Sequence, residues 1–316
     1  MPPISELFGA LWKGAAMGAA NVIPGVSGGT IAFITGIYER LINALKAFDI
    51  TAVKLLLGFR LREFAQKIDF FFLAAIGVGA LLSILSLAKG LKWMFEHEEV
   101  LLLAFFFGLI LASIYSVGKM VKRWGAAEFL LCLLGAGIAV GIAFLKPAEE
   151  NANMAFLVLC GAVAISSMII PGISGSFVLL ILGNYMLVLG AIDGLRADPA
   201  GNFAASLKIL APFAVGCVVG LLALSHFLSW LFREHHDRAV TLITGFIAGS
   251  LLIIWPWKDK IYLEGSVGKA AEKPIGYDWL LPDFASGHTW AAIGLMVGGA
   301  VLVLLVEKLG AAKPAK

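Results

Sequence analysis

Three apolar runs, Phe70 to Ala88, Val100 to Val117 and Phe129 to Leu145, carry no charge along their whole length. A soluble core has no use for helices that are apolar on every side. At about 1.5 Å of rise per helical residue, each run crosses, or nearly crosses, a hydrocarbon layer roughly 30 Å thick. Charged residues make up 14% of the 316-residue chain, against roughly 25% in soluble domains. The pattern specifies an all-α polytopic membrane protein. Its formal net charge of +3 is small and argues against nucleic acid as a partner. The opening stretch lacks a basic n-region and a clear cleavage site, so no removable signal peptide is expected. Cys132, Cys160 and Cys217 lie singly in apolar segments, as packing residues do.

Spanning helices are expected at 69–88, 99–118, 127–145, 206–230, 239–256 and 289–306. Two further apolar regions, 7–45 and 154–192, are each interrupted by a Pro-Gly motif. Between them, 46–68 mixes apolar residues at helical spacing with Lys54, Arg60, Arg62 and Lys67. That predicts an amphipathic helix lying at a membrane surface.

The two interrupted regions repeat one another. At an offset of 147 and without a gap, residues 14–45 align with 161–192, with 11 identities in 32 positions. The prolines (Pro24, Pro171), serines (Ser27, Ser174), tyrosines (Tyr38, Tyr185) and several glycines fall in register, which general Leu and Ala enrichment does not explain. Further on, "WMFEHEE" at 93–99 matches "WLFREHH" at 230–236 at an offset of 137, which Gly108 and Gly245 share. The halves are residues 1–146 and 154–306, each a broken-helix hairpin plus three transmembrane helices.

Lys and Arg are concentrated in 46–68 and 119–127, with five and three, against two in 89–98 and one in 146–153. The positive-inside tendency places the first two connections in the cytoplasm. Counting onward, both termini fall inside, and 193–205 and 257–288 outside. If each hairpin enters and leaves on one side, the second half is inverted relative to the first. Inverted repeats whose broken helices meet near mid-membrane are a recurrent transporter plan.

Proline removes a backbone donor and glycine admits close approach, so each Pro-Gly motif frees backbone groups at membrane depth. Lipid cannot satisfy them; they must be buried in protein or line a wet cavity. A single Pro-Gly in a membrane helix is usually a kink. The same pattern twice, in register, points instead to paired re-entrant tips. In the first, Asn21, Pro24, Gly25, Ser27, Gly28, Gly29 and Thr30 offer a helix start with hydroxyls. In the second, Pro171, Gly172, Ser174, Gly175 and Ser176 do the same. Helix starts of this kind suit phosphate or carboxylate. Without a Lys after the glycines, the motif is no Walker loop.

About ten residues beyond the first tip, Glu39 and Arg40 admit two roles. Arg40 assists the anion while Glu39 gates or carries a coupling proton or cation, or the two mark a helix end at the interface. Asn21 is placed to satisfy loosened backbone, and Lys13 to snorkel. His97, His226, His235 and His236 do not form a metal set, and nothing implies a cofactor. The aromatics around 257–288 suit the headgroup level, as a cap or a long loop.

The segments "NVIPGVSGGTIAFITGIYERLI" and "IIPGISGS" resemble the signature of a bacterial membrane family, long catalogued as a domain of unknown function and now associated with polyprenyl-phosphate (undecaprenyl-phosphate) translocation. The resemblance covers nearly the whole chain. It implies a protein of the bacterial cytoplasmic membrane that returns undecaprenyl phosphate from the outer to the cytoplasmic leaflet for envelope synthesis. The motif positions that it carries over are those of the two tips named above, together with Glu39. The second tip departs from the first at Ser176 and Phe177, where the first has Gly29 and Thr30. Two rivals stay open: a lipid-pyrophosphate phosphatase, for which no nucleophile–base pair stands out, and a small-anion transporter. The partners considered are the lipid, the bilayer, a coupling proton or cation and further copies of the chain in a homo-oligomer.

Overall fold

The computed structural model describes residues 2–22, 26–197, 199–261 and 276–311. Among the described residues the regular structure is helical apart from one short antiparallel pair of strands. The first half holds α1 (Ile4–Val22), α2 (Gly28–Ile34), α3 (Tyr38–Lys46), α4 (Ile50–Leu57), α5 (Leu61–Lys67), α6 (Phe70–His97), α7 (Glu99–Gly118) and α8 (Ala126–Ala143). The second holds α9 (Met154–Ile169), α10 (Gly175–Ile181), α11 (Tyr185–Ala197), α12 (Pro199–Glu234), α13 (His236–Ser250), β1 (Lys258–Ile261), β2 (Gly276–Trp279) and α14 (Gly287–Ala311).

Among the described residues, five helices are long and apolar enough to cross a membrane: α6, α7, α8, α12 and α14. A sixth crossing arises only if α10 and α11, bent by 112° at their junction, count as one. Burial separates these helices. In α7 56% of the apolar stretch is buried, against 17–22% in the other four, so α7 is interior and the others present broad faces outward.

Three expectations change. The span expected at 239–256 is α13, a helix of 15 residues, about 22 Å long and too short to cross alone. Residues 251–254 leave the helix in a turn towards β1, and protein covers most of α13, including Val240, Ile243 and Ile247. Among its described residues the second half thus has two full-length spans where three were expected. The amphipathic segment 46–68 is two helices, not one. Gly58 ends α4, and Phe59 takes a left-handed φ of 54°. Asp49 caps α4 through the Ala52 N–H and receives Lys67 Nζ at 2.9 Å, which ties the far end of α5 back to the start of α4. The block 257–288 contains the antiparallel pair β1–β2, with Lys258 opposite Trp279 and Ile261 opposite Gly276.

Helix packing is set by glycines at close crossings. Gly14 lies against Ile76 and Gly18 against Ala80, so α1 and α6 run in the same direction. A Cβ on Gly79 would overlap the carbonyl oxygen of Leu11 in α1; a Cβ on Gly216 would overlap that of Val158 in α9. These contacts recur at the offsets of the sequence repeat. Among the interior helices, Gly108 of α7 abuts the Met296 carbonyl in α14 and Gly245 of α13 abuts the Cys132 carbonyl in α8; only the two glycines keep the offset of 137.

Candidate functional site at two touching tips

Each Pro-Gly region doubles back on itself. In the first, Asn21 near the end of α1 lies beside Gly28 at the start of α2, its Oδ1 accepting the Gly28 N–H at 2.8 Å. Directly after α2, the Thr35 carbonyl accepts from Lys13 Nζ at 2.8 Å. Residue 35 is therefore back beside residue 13, and α2 returns along α1. Gly36, at φ 70°, then turns the chain into α3. The second region repeats this course. The Ala148 N–H donates to the carbonyl of Ile181, and the buried Asn184 side chain holds both the N–H and the carbonyl of Asn151. The end of α10 thus returns to the start of α9, and Gly183 turns the chain at φ 78°.

The two tips meet. The Gly172 N–H donates to Thr30 Oγ1 at 3.0 Å, fully buried. Tyr38, also buried, donates its hydroxyl to the Ile169 carbonyl at 3.2 Å. Gly29 stands so close to that carbonyl that a Cβ would approach its oxygen to 2.7 Å. Gly172 has φ 85° and abuts the Phe246 carbonyl of α13, so an L side chain there meets both backbone strain and a neighbouring backbone.

The tips differ in how their helix starts are satisfied. An α-helix leaves its first N–H groups without intrahelical partners. At α2 all are answered: Gly28 by Asn21, Gly29 by Ser27 Oγ, and Thr30 and Ile31 by the Ser27 carbonyl. At α10 the Ser174 side chain makes no cap bond, and the N–H groups of Gly175, Ser176 and Phe177 have no partner among the described residues. The reason lies one turn upstream. Met168 stands where Asn21 stands in the first half, its Cγ beside Gly175, and a thioether chain has no strong acceptor. Ser174 Oγ and Ser176 Oγ lie 3.1 Å apart, Ser176 exposed and Ser174 partly so, whereas Ser27, Gly28, Gly29 and Thr30 are buried. Pro171, Gly172 and Gly175 are buried in the second tip. Pro24 and Gly25 lie outside the described residues.

Arg40 does not offer its charge to the tips. Its guanidinium forks onto Asp69 at 2.6 and 3.1 Å, bonds Glu6 at 2.6 Å, and lies 4.2 Å over the Phe72 ring. Two carboxylates already answer the cation expected at the anion, which here ties α1, α3 and α6 together. Glu39 is exposed, and its Oε1 lies 3.3 Å from His236 Nε2 at the start of α13. The sequence reading missed Glu6, Asp69 and His236 as partners. It also missed the Asn21–Met168 difference, which the offset of 147 already exposes.

An apolar cavity of 330 Å³ lies past the C-terminal end of α13, lined by Phe107, Leu251, Leu252, Trp255, Trp279 and neighbouring leucines. It begins just beyond the stretch of α13 whose Phe246 carbonyl abuts Gly172. Among the described residues no His, Cys, Asp and Glu group could hold a metal ion.

Residues 17–270 match the model of the VCA0040-like family, described as undecaprenyl phosphate translocase-like. The chain belongs to that family. It is 38% identical over 306 residues to a polyprenyl-phosphate transporter of Vibrio cholerae, an alignment covering 94% of each chain. A polyprenyl-phosphate transporter of Staphylococcus aureus is 29% identical over 256 residues, covering 77% of this chain and 84% of the relative. No solved structure matches. With its apolar helices, the family member is a multi-pass membrane protein.

Proposed function

We propose that this protein moves a polyprenyl phosphate, undecaprenyl phosphate, from the outer to the cytoplasmic leaflet of a bacterial inner membrane, with its phosphate received at the start of α10. The observation that carries this reading is the contrast between the tips: the α2 start is closed by Asn21 and Ser27, whereas the α10 start keeps three N–H donors without a partner among the described residues, beside two hydroxyls bonded to each other. Backbone N–H groups at a helix start, with the dipole behind them, favour an anion. The apolar cavity past the end of α13 favours a lipid over a small anion, because it offers an apolar surface to a tail on the helix that abuts the second tip.

In this reading the hairpins are re-entrant and the halves inverted, and α13 with the turn 251–254 that extends it completes a sixth crossing, so that both termini are cytoplasmic, the first tip facing the cytoplasm and the second the outside. The Thr30–Gly172 bond is the closed contact that the headgroup parts as it passes from Ser174 and Ser176 to Ser27, Gly28 and Gly29. Glu39, at the mouth of the first hairpin, is the first candidate for a coupling proton or cation. The chemistry is transfer without bond cleavage.

Reconstitution with labelled undecaprenyl phosphate, followed by leaflet exchange under several ion gradients, tests this. Exchange above empty vesicles is expected, and bulky apolar replacements at Ser174 and Ser176 together abolish it in folded protein. No exchange under any gradient overturns the reading; hydrolysis of undecaprenyl pyrophosphate replaces it with the phosphatase, and exchange of inorganic phosphate alone with the small-anion transporter.

A further inference from the structure

A second cavity, this one polar, lies between α3 and α12. It measures 250 Å³ and is lined by Glu39, Ile42 and Asn43 of α3 and by Ser229, Phe232 and Arg233 of α12. A layer of aromatic rings links it to the tips. Phe33, Tyr38 and Phe232 pack with centroids 5.1, 5.8 and 6.3 Å apart. Tyr38 reaches the Ile169 carbonyl on the tip side, while Phe232 forms part of the cavity wall.

The donors of this cavity are largely unspent and its acceptors largely answered. Ser229 Oγ accepts from Lys46 Nζ at 3.1 Å and donates to Asn43 Oδ1 at 2.9 Å, which leaves the Asn43 amide N–H groups free of any partner among the described residues. Arg233 uses Nε on the neighbouring Glu234, and its terminal nitrogens have no partner among the described residues. The Asp237 carboxylate takes the Lys122 N–H at 3.1 Å and lies 3.4 Å from His236 Nδ1. Glu39 is the acid on the wall, with His236 Nε2 at 3.3 Å beside it. A fork-shaped guanidinium, an amide and an ammonium group suit phosphate oxygens. A phosphate monoester has its second pKa near ~6, so a monoanion with one P–O–H is available near neutrality. That proton has an acceptor in Glu39.

We propose that this cavity is a second station for the phosphate monoester of a prenyl chain, taking the headgroup once it has passed the Phe33–Tyr38–Phe232 layer; the assignment rests on the translocation reading above. The station is built across the two halves, α3 supplying Asn43 and Glu39 and α12 supplying Arg233, so it exists only while the halves are in register.

The test uses full-length protein in vesicles with Cys132→Ala, Cys160→Ala and Cys217→Ala, carrying Ser229→Cys or, on the opposite wall, Asn43→Cys should the first fail to fold. A membrane-impermeant thiol reagent labels the new cysteine while geranyl phosphate, geraniol or inorganic phosphate is present, and leaflet exchange is measured in the same vesicles. Geranyl phosphate is expected to slow labelling several-fold and geraniol to leave it unchanged, with Arg233→Gln abolishing the protection. Inorganic phosphate protecting as well as geranyl phosphate overturns the assignment to a lipid headgroup. Exchange without protection, or a reagent that reaches neither cysteine, overturns the station and leaves translocation standing. Protection without exchange keeps a phosphate site here and overturns the translocation reading instead.

Discussion

The amide of Gly172 donates to the hydroxyl of Thr30 across 142 residues of sequence, at 3.0 Å and out of contact with solvent. One bond thereby links the two Pro-Gly tips, and it joins a backbone donor that cannot move aside to a side chain that can rotate. A headgroup passing between the tips has to replace this bond, so its strength sets how tightly the closed contact is held.

Thr30→Val keeps the shape and removes the acceptor. It leaves the Gly172 N–H buried and unpaired, at a cost of about 1–3 kcal/mol. Thermal unfolding in detergent should show a lower midpoint, and Thr30→Ser should restore most of it. A midpoint unchanged in Thr30→Val would mean that water reaches the tip contact.

Met168→Asn copies Asn21 into the second half. The new amide oxygen can take the Gly175 N–H as Asn21 takes that of Gly28, competing with the phosphate for one of its donors. Exchange should fall by about tenfold, the equivalent of roughly 1.4 kcal/mol, with stability equal or higher. The reverse change, Asn21→Met, should lower stability by about 1–3 kcal/mol through the orphaned Gly28 N–H. Loss of exchange and of stability together in Met168→Asn would indicate misfolding and defeat the interpretation.

How far the sequence led can be read from these residues. The helical membrane class followed from long uncharged runs, because period and length depend on local composition alone. The two tips were legible because Pro24 and Pro171 fall in register with serines and glycines around them. The fate of Arg40 was not legible. Glu6 and Asp69 come to it from α1 and from the start of α6, and only the return of α2 along α1 brings all three together. The shortness of α13 was hidden for a related reason. Residues 251–254 are as apolar as a helix interior, and what removes them from the helix is the packing of β2, where Trp279 Nε1 donates to the Leu252 carbonyl at 2.8 Å.

Arg40→Gln should loosen the junction of α1, α3 and α6. The ion pairs are more than a third exposed on most sides, so each is worth no more than about 1 kcal/mol. The loss should nevertheless exceed that of one surface pair, because the fork also holds Asp69, whose backbone sits at φ 51°. Arg40→Lys should recover only part, since an ammonium group cannot fork onto one carboxylate while reaching another. Hydrogen exchange at the start of α6 measures this directly; protection there equal to wild type in both variants would remove Arg40 from the structural role.

The short helices α4 and α5 should come apart in acid. Lys67 beside Asp49, and then the Ala52 N–H, hold the Asp49 carboxyl below its ordinary value of 3.8. A carboxyl depressed in the folded state contributes stability that is fully present above its unfolded pKa and is lost as pH falls through the folded one. The clasp between the ends of α4 and α5 is therefore constant through neutral and mildly acidic pH and fails only in strong acid, below the ordinary carboxylate range. Phe59→Trp, at the exposed turn between the two helices, reports the separation by its fluorescence. Against this reporter, Asp49→Asn should differ from the parent at neutral pH and converge with it once the parent carboxyl is protonated. A difference that persists at the lowest pH would show that Asp49 holds the hairpin through the geometry of its cap rather than through its charge.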